Sequence, residues 1–331
     1  MTSAHAAGDR PGGPLVVLMP VYDDWAAVPL LLDGLDEALA GAGLAGEAVI
    51  VDDGSSVAPD DGAWLDGRKF QALGAVTVVR LGRNVGHQRA IAIGLAYVHA
   101  RRTPTAVVVM DADGEDDPAD VPRLLEAGAA AESRVVFATR VRRSEGPVFR
   151  ALYRVYRLLF RLVTGASISF GNFSVIPGRV LPRLVLLSEL WNHYPSALMK
   201  AKVPMVTVPI PRARRLAGES HMNLVSLILH GLGGISVYGD VIGVRSLLIT
   251  LGAMASCLSG IGVVVGIRFM TDLAIPGWAS YVAGLLVAIL LQTVSLSLVF
   301  IFVILNSRNY STVIPRRDYG DYIMAEERVY P

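Results

Sequence analysis

The chain has 331 residues and a formal net charge of +1, a balance that excludes a strongly basic protein built to bind nucleic acid. This length accommodates two domains, or one domain together with a membrane part. Its single cysteine, Cys257, excludes an intramolecular disulfide bond and a cysteine-based zinc site.

The amino-terminal residues 1–14 are mostly small or polar, a composition typical of a disordered tail. The first apolar run, residues 15–19, is too short for the apolar region of a signal peptide. We therefore expect the domain that follows to stay in the cytoplasm.

Residues 15–140 alternate between strand-like and helix-like patterns. Apolar, often β-branched runs predict strands at 15–19, 48–51, 76–81, 105–110 and 135–139. Apolar residues at helical spacing predict helices over 28–41, 88–100 and 118–131. This alternation predicts a mostly parallel α/β sheet with helices on both faces, in which ligands bind beyond the carboxyl ends of the strands.

An acidic cluster, residues 111–117, directly follows the apolar run 105–110 and holds five carboxylates in seven residues. Such carboxylates repel one another unless a cation neutralises them, and Mg²⁺ or Mn²⁺ does so with carboxylate and phosphate oxygens as ligands. Two further acidic loops, residues 20–24 and 52–56, follow neighbouring strands and favour a metal–diphosphate site where the three loops meet. The alternative is a solvated acidic loop that begins the next helix, because acidic residues favour a helix N-terminus.

The loop after the third predicted strand, residues 83–89, contains Gly86, which allows a tight turn. Arg83 or Arg89 is a candidate to face a phosphate, although arginine is as often a solvated surface residue. The loop after the first strand contains neither Gly-x-Gly-x-x-Gly nor Gly-x-x-x-x-Gly-Lys. This argues against Rossmann-type dinucleotide binding and against a P-loop.

Residues 149–163 form a basic amphipathic pattern. Arg150, Arg154, Arg157 and Arg161 recur at spacings of 4, 3 and 4, which places them on one helical face. Aromatic and aliphatic residues fill much of the rest, which favours an interfacial helix on anionic lipid. The alternative is a surface helix packed on the sheet. Residues 223–238 are a second interfacial candidate, although three glycines there weaken the prediction of a long helix.

Two apolar stretches, residues 246–267 and 278–305, each exceed the roughly 20 residues that a helix needs to cross a bilayer. The alternative is a pair of buried core helices. Arginines lie before the first stretch and after the second, whereas the short turn between them holds one aspartate. The positive-inside rule therefore places both flanks in the cytoplasm and the turn outside. The sequence predicts a helical hairpin followed by a cytoplasmic tail over 306–331.

The motifs PVYDD, VDDGSS, NVGHQRAIAIGL and DADGEDDP occur in this order, and together they resemble the GT-A domain of family 2 glycosyltransferases. The later segments ATRVRRSEG, FGNFSVIP and RRLAGESHMNLVSLILHGLGGIS, followed by two spans, look like the polyprenyl-phosphate glycosyltransferases, a group that includes dolichyl-phosphate mannose synthases. The resemblance covers residues 15–305. It implies a Rossmann-like GT-A catalytic domain over 15–220, a juxtamembrane segment over 221–244 and a two-helix transmembrane anchor over 245–305.

The resemblance also implies site residues. Asp111 and Asp113 match the ligands of the metal and diphosphate, and Glu115 stands where relatives often place a metal-reaching glutamine. The implied nucleotide-binding set comprises Pro20, Tyr22, Asp24, Asp52, Asp53, Asn84, Gly86, Arg89, Asp111 and Ala112. Asp24 replaces the usual glutamate and has a shorter reach towards the ribose. His87 and His221 stand where lysines are common, and a neutral histidine would contact a phosphate more weakly.

The implied activity is a metal-dependent, inverting transfer of a sugar from a UDP- or GDP-sugar to a polyprenyl phosphate, such as undecaprenyl phosphate, at the cytoplasmic face of the inner (plasma) membrane. A lipid phosphate is already ionised at neutral pH and needs no strong general base. Asp116 is therefore only a candidate helper, and helix N-terminal charge explains it equally well. Arginine binds phosphate bidentately, which makes Arg140, Arg212 and Arg215 candidates for the acceptor site. Hairpin-anchored relatives often form tetramers, which implies a homo-oligomer.

Four alternative functions differ in what they would require of the sequence. A processive polysaccharide synthase would need a QxxRW-type motif and more spans, and a nucleotidyltransferase would usually carry a Gly-rich first loop; the sequence has neither pattern. A GT-A glycosyltransferase with a different lipid or a soluble acceptor is an open alternative. So is a catalytically inactive membrane protein that binds nucleotide sugars.

Overall fold

The computed structural model describes residues 13–331 with the exception of 58, 60–62, 132–133, 141–146, 168–169, 212, 214, 217–230, 272–274, 276 and 310–312. Two compact units account for the described residues. The first draws on residues 1–157, 166–237 and 312–331, and the second on residues 158–165 and 238–311. The predicted tail over 1–14, except for its last two residues, lies outside the described part of the chain, as does most of the predicted juxtamembrane segment.

One sheet forms the centre of the first unit. Its strands are β1 (Leu15–Val21), β2 (Gly46–Asp52), β3 (Leu73–Leu81), β4 (Ala106–Val109), β5 (Val135–Arg140), β6 (Ser174–Pro177), β7 (Met205–Ile210) and β8 (Ile323–Tyr330). They lie in the order β7-β5-β6-β4-β1-β2-β3-β8. The β4-β1-β2-β3 block and the β5–β7 pair are parallel, whereas β6 and β8 run antiparallel to their neighbours. This confirms the predicted mostly parallel α/β fold.

The helices are α1 (Val28–Gly41), α2 (His87–Arg101), α3 (Val121–Ala130), α4 (Pro147–Thr164), α5 (Leu181–Leu184), α6 (Tyr194–Lys200), α7 (Gly239–Met270), α8 (Trp278–Asn309) and α9 (Pro315–Asp318). Short 3₁₀ turns occur at Ala63–Leu65, Pro118–Asp120, Ser188–Trp191 and Tyr319–Tyr322. The predicted helix over 118–131 therefore begins as a 3₁₀ turn before α3. The predicted basic helix over 149–163 is present as α4.

Helices cover both faces of the sheet. Successive residues of β1 enter different cores, because side chains alternate across a strand. Val16 and Leu18 pack in the core that contains α2, whereas Val17 and Met19 pack in the core that contains α1 and α3. Helix α2 lies so close to the sheet that a Cβ built on Gly94 would stand 2.6 Å from Leu18 Cδ1. The sheet is thus packed between helices on both faces.

The carboxyl-terminal residues differ from the prediction. The sequence predicts a tail over 306–331, whereas within the described residues α9 and β8 belong to the first unit. Strand β8 pairs antiparallel with β3 and becomes the edge of the sheet. The prediction was wrong here because β8 carries three charged residues, Glu326, Glu327 and Arg328, and therefore lacks the apolar run of a buried strand.

The second unit contains α7 and α8 together with the end of α4. Both long helices extend beyond the predicted apolar stretches, and their most apolar windows have mean hydropathies of 2.1 and 2.6. Only 17% and 6% of those windows are buried, although a core helix would be mostly buried. The two helices are therefore long and apolar enough to cross a membrane, and the core-helix alternative is not favoured. Within this unit, Arg245 of α7 donates to the carbonyls of Leu162 and Val163 at the end of α4.

Candidate active site

Loops that follow β1, β2, β3 and β4 meet at the carboxyl edge of the sheet. The first two are tied together by a serine and an aspartate. Ser55 Oγ accepts hydrogen bonds from Asp23 N at 3.0 Å and from Trp25 Nε1 at 3.2 Å. Asp23 Oδ1 in turn accepts from Ser56 N and Ser56 Oγ. The loop that carries Tyr22 and Asp24 is thereby fixed to the loop that carries Asp52 and Asp53.

The adjacent carboxylates Asp52 and Asp53 are both buried and have different partners. Asp52 Oδ1 accepts from Ser55 N at 3.0 Å, and Asp52 Oδ2 lies 3.5 Å from Arg80 Nη1. Asp53 accepts from the backbone nitrogens of Val85 and Gly86, at 2.7 and 2.9 Å. Burial raises the pKa of Asp53 to about 6, although these two N–H donors oppose the shift. Asp53 therefore holds the loop after β3 against the loop after β2.

The turn at Gly86 has a backbone φ of +94°, a conformation that L side chains rarely adopt. It ends the loop after β3 and begins α2, whose first residue is His87. His87 Nε2 lies 3.1 Å from Asp111 Oδ1. Desolvation lowers the pKa of His87. The charge and hydrogen bond of Asp111, together with the charges of Asp53 and Asp113, outweigh this effect and leave the pKa above its ordinary value. The first turn of α2 thus reaches the acidic cluster.

The acidic cluster contains two kinds of carboxylate. Asp116 is buried and accepts from Asp111 N at 3.0 Å, and Asp117 accepts from Ala119 N as the cap of the 3₁₀ turn. Asp111 and Asp113 are less buried, and they lie at the same edge as His87. Helix capping therefore accounts for Asp117, and Asp116 braces the backbone of the loop.

Asp111, Asp113 and Glu115 are the residues whose chemistry suits a divalent metal. Burial raises the pKa of Asp113, and the negative charges of Asp111 and Glu115 raise it further. This mutual repulsion is what a bound cation would relieve. Within the described residues, no three His, Cys, Asp or Glu side chains already form a metal cage. The donors fit a hard cation held by one or two carboxylates together with substrate phosphates, which is the usual arrangement for Mg²⁺.

Arg215 approaches this cluster from a distant part of the chain. Its Nη2 lies 2.7 Å from Asp24 Oδ2, and its Nη1 lies 3.9 Å from Asp113 Oδ2. Backbone bonds support the approach, since Ala213 N donates to the carbonyl of Glu115 and Leu216 N donates to that of Asp113. One predicted acceptor-site arginine therefore lies between two predicted site loops. Arg212 lies outside the described residues, and of Arg140 only the backbone at the end of β5 is described.

The other predicted site residues differ in their exposure. Tyr22 and Asn84 are exposed, Ala112 is buried, and Pro20 lies within β1 opposite Val51 of β2. The guanidinium of Arg89 stacks 5.5 Å from the ring centre of Trp191. Arg89 thus has an aromatic partner, and its assignment to the nucleotide site stays a prediction.

An amide side chain that the sequence did not single out, Asn172, also reaches the cluster, and a second one, Gln88, holds it in place. Gln88 Oε1 accepts from Tyr194 N, and Gln88 Nε2 donates to Asn172 Oδ1 at 3.1 Å. This fixes the Asn172 amide so that Nδ2 faces His87 Nε2 at 2.9 Å and Asp111 Oδ1 at 3.5 Å. Asn172 lies in FGNFSVIP, a motif that contributed to the resemblance but whose polar residue had no assigned role.

Comparison with known proteins identifies the family. A model of glycosyl transferase family 2 matches residues 16–183, just over half of the chain. An undecaprenyl-phosphate 4-deoxy-4-formamido-L-arabinose transferase of Klebsiella pneumoniae (strain 342) is 29% identical over 216 residues. That alignment covers 64% of this chain and 63% of the relative, so the chain spans slightly less than two thirds of the relative's length.

Two further similarities have wider coverage. YkcC, a glycosyltransferase of Bacillus subtilis (strain 168), is 25% identical over 278 residues, which is 80% of this chain and 81% of that protein. A glucosyl-3-phosphoglycerate synthase of Mycobacterium tuberculosis, solved with Mn²⁺, UDP and phosphoglyceric acid, is 17% identical with a TM-score of 0.48, covering 70% of this chain and 79% of that one. The matched residues 16–183 include the loops after β1, β2, β3 and β4 and also Asn172. The chain therefore belongs to glycosyl transferase family 2.

Proposed function

We propose that the protein transfers a sugar from a nucleotide diphosphate sugar to a polyprenyl phosphate at the cytoplasmic face of the inner membrane, with inversion. The observation that carries the proposal is the meeting of Asp24, Asp113 and Arg215 at the carboxyl edge of the sheet. It combines carboxylates suited to a metal–diphosphate with an arginine suited to a second phosphate. The similarity to the Klebsiella relative, an undecaprenyl-phosphate transferase, supports the choice of a lipid phosphate as acceptor.

On the donor side, Asp111 and Asp113, with Glu115 beside them, would hold Mg²⁺ or Mn²⁺. When bound, such an ion stabilises the departing diphosphate as a Lewis acid. Asp52 and Asp53 would border the nucleotide base, and Asp24 the ribose. His87 and Asn172 contact the same oxygen of Asp111 and so restrict the orientation of that carboxylate.

On the acceptor side, Arg215 would hold the lipid phosphate next to the sugar, with Arg140 and Arg212 as further candidates. The planar guanidinium binds a phosphate through two parallel hydrogen bonds. It does not need to accept a proton, because the phosphate is already ionised. Asp116 is kept as a candidate helper, and its bond to Asp111 N gives it a bracing function as well.

The membrane part of the proposal is supported by the second unit. Helices α7 and α8 would form a multi-pass anchor, with Arg245 and the arginines after α8 on the cytoplasmic side. Within α4, Arg154 and Arg157 are exposed, as are Leu158, Leu159 and Leu162. A helix with exposed arginine and leucine side chains suits the boundary of an anionic membrane. An assembly of several copies, such as a tetramer, also stays a prediction.

The decisive experiment is a screen of UDP- and GDP-sugars with undecaprenyl phosphate, read by mass spectrometry of the lipid and by release of nucleoside diphosphate. A glycosylated lipid is the expected product. Release of nucleoside diphosphate without a lipid product would indicate a different acceptor. If no donor is turned over, the proposal is wrong, and the catalytically inactive alternative is favoured.

Asp113→Asn tests the metal assignment within that assay. We expect turnover to fall at least about 100-fold, because a bound metal contributes several kcal/mol of transition-state stabilisation. The matched control is Asp33→Asn, which removes an exposed carboxylate of α1 that pairs with Arg68. Full activity of Asp113→Asn in the presence of EDTA would contradict the assignment.

A further inference from the structure

We infer that Arg80 is a positioning residue through which the carboxyl-terminal strand β8 holds the Asp52 carboxylate of the proposed nucleotide subsite. The inference rests on the proposed function only in assigning Asp52 to that subsite. It gives the segment after the second apolar helix a function in donor binding, although that segment contributes no residue to the predicted site.

Strand register brings the three residues together. Asp52, the last residue of β2, lies opposite Arg80 of β3 in the parallel pair. On the other side of β3, Arg80 lies opposite Ala325 and Val78 lies opposite Glu327. Side chains two residues apart share a face of the sheet, and diagonal neighbours on adjacent strands lie within reach of long side chains. Glu327 and Asp52 can therefore both reach Arg80 from opposite sides.

The guanidinium nitrogens of Arg80 contact three partners, Glu327, Pro59 and Asp52. Nε and Nη2 lie 3.4 and 3.2 Å from Glu327 Oε2, and Nη2 also donates to the carbonyl of Pro59 at 2.9 Å. Nη1 lies 3.5 Å from Asp52 Oδ2. Glu327 and Pro59 thus hold the edge of the guanidinium that carries Nε and Nη2, and Nη1 is directed at Asp52. A planar fork held in this way loses less conformational entropy per contact than a free arginine.

The effect extends from Asp52 to two site loops. Asp52 Oδ1 accepts from Ser55 N, and Ser55 Oγ accepts from Asp23 N and Trp25 Nε1. Asp52 is only 3% exposed, so its charge needs a nearby cation to offset desolvation. Without a fixed Arg80, the Asp52 carboxylate would turn towards solvent, and the loops after β1 and β2 would lose their common orientation.

Strand β8 supplies its own control. Glu326, the neighbour of Glu327, points to the opposite face of the sheet and accepts from the hydroxyl of Tyr97 on α2. It also pairs with Arg101 at 3.7 Å. Glu326→Gln therefore weakens the attachment of the same strand without touching Arg80 or Asp52. It separates a general loosening of β8 from the specific effect on the nucleotide subsite.

The test is calorimetric binding of UDP and of GDP, each with Mn²⁺, to the full-length protein in detergent. For the nucleotide that the wild type binds, we expect Glu327→Gln to raise Kd about 3-fold, as loss of a partly exposed ion pair does. Arg80→Met should raise Kd about 10-fold, because it leaves buried Asp52 without its cation. Glu326→Gln should lower the thermal midpoint and leave Kd unchanged.

The double variant Arg80→Met with Glu327→Gln should bind as weakly as Arg80→Met alone, because Glu327 acts through Arg80. In turnover, Glu327→Gln should raise KM for the donor sugar while kcat changes much less. Additive effects in the double variant, or an equal rise of Kd in Glu326→Gln, would overturn the inference. A wild type that binds neither nucleotide would instead overturn the proposed function.

Discussion

Asp53 and Asp116 accept backbone N–H groups that hold neighbouring parts of the chain in place. Asp113 accepts the N–H of Glu115 in its own loop, and its carboxylate also lies near other negative charges and Arg215. These aspartates are indistinguishable in the sequence, where all of them belong to acidic loops. Only the direction of each side chain separates a brace of the loop from a candidate ligand. At the scale of the residue, the candidate site is therefore smaller than its acidic motifs indicate.

Arg215→Ala tests the proposed acceptor function of that arginine. We expect KM for undecaprenyl phosphate to rise about 10-fold or more, and KM for the nucleotide sugar to rise less, because the lost guanidinium is a phosphate ligand. Steady-state kinetics with each substrate varied in turn would measure both values. Arg68→Ala, which removes an arginine from a surface pair with Asp33, is the control. An unchanged KM for the lipid would exclude Arg215 from the acceptor site.

Asp36 provides a pH-dependent prediction outside the site. Burial alone would raise its pKa, but the backbone N–H groups of Gln71, Ala72 and Leu73 outweigh it and hold the pKa below the ordinary value. A depressed pKa in the folded state stabilises the fold above the unfolded-state pKa of about 3.9, and that stability is lost as pH falls through the lower folded-state pKa.

Asp36→Asn should therefore cost about 1–2 kcal/mol of unfolding free energy at neutral pH, because one acceptor oxygen is lost. The difference from wild type should shrink below about pH 4. Thermal unfolding followed from neutral to acidic pH would measure it. Asp33→Asn, an exposed change on the same helix, should show no comparable loss. A constant difference over the whole pH range would contradict the assigned cause.

At the scale of the element, the acidic loop is in close contact with the segment that contains Ala213, Arg215 and Leu216. Gly114 has a φ of +83°, and a Cβ built there would overlap the side chain of Leu216. The same segment carries Arg215 and is tied by backbone bonds to Asp113 and Glu115. A glycine in the acidic motif thus permits the close approach of Arg215.

Gly114→Ala should accordingly reduce turnover more than it reduces stability. The positive φ costs about 1 kcal/mol for alanine, and the overlap displaces Leu216 and with it Arg215. Gly41→Ala is the matched control, since Gly41 has open space around its Cβ position at the end of α1. Adding Leu216→Ala to Gly114→Ala should recover part of the activity. Wild-type turnover in Gly114→Ala would show that the contact is dispensable.

At the scale of the whole molecule, the two units differ in what they bury. The first encloses two apolar cores around a sheet, whereas α7 and α8 leave most of their large apolar side chains exposed. Such a surface is unstable in water and suits a lipid environment. The end of α4 belongs to the same unit as these helices, where Phe160 packs against Tyr238.

The predicted orientation can be tested by cysteine labelling. In a Cys257→Ser background, Thr271→Cys, at the end of α7, should react with a membrane-impermeant maleimide applied to the outside of spheroplasts. A cysteine at exposed Met324 of β8 should react only after the membrane is permeabilised. Labelling of both sites from the same side would contradict the hairpin orientation.

Much of the fold could be predicted from local patterns. The first five strands and the helices α1, α2 and α3 follow from apolar periodicity, as do the two apolar spans, because burial imposes a period on residues close in sequence. Strands β6 and β7 lie beyond the alternating region 15–140, and the charged strand β8 lacks an apolar run. None of these three strands was predicted. Their pairing supplies the stabilisation that their own composition does not indicate.

The candidate site, like the fold, could be predicted from the sequence only in part. The sequence by itself determined the acidic loops, their position at strand ends and the family that they resemble. Only the tertiary structure decided that Arg215 pairs with Asp24, 191 positions away, and that Glu327 reaches Arg80 across 247 positions. The physical reason is that the pattern of a strand or helix is contained in its own residues, whereas an ion pair between distant segments depends on chain topology and strand register.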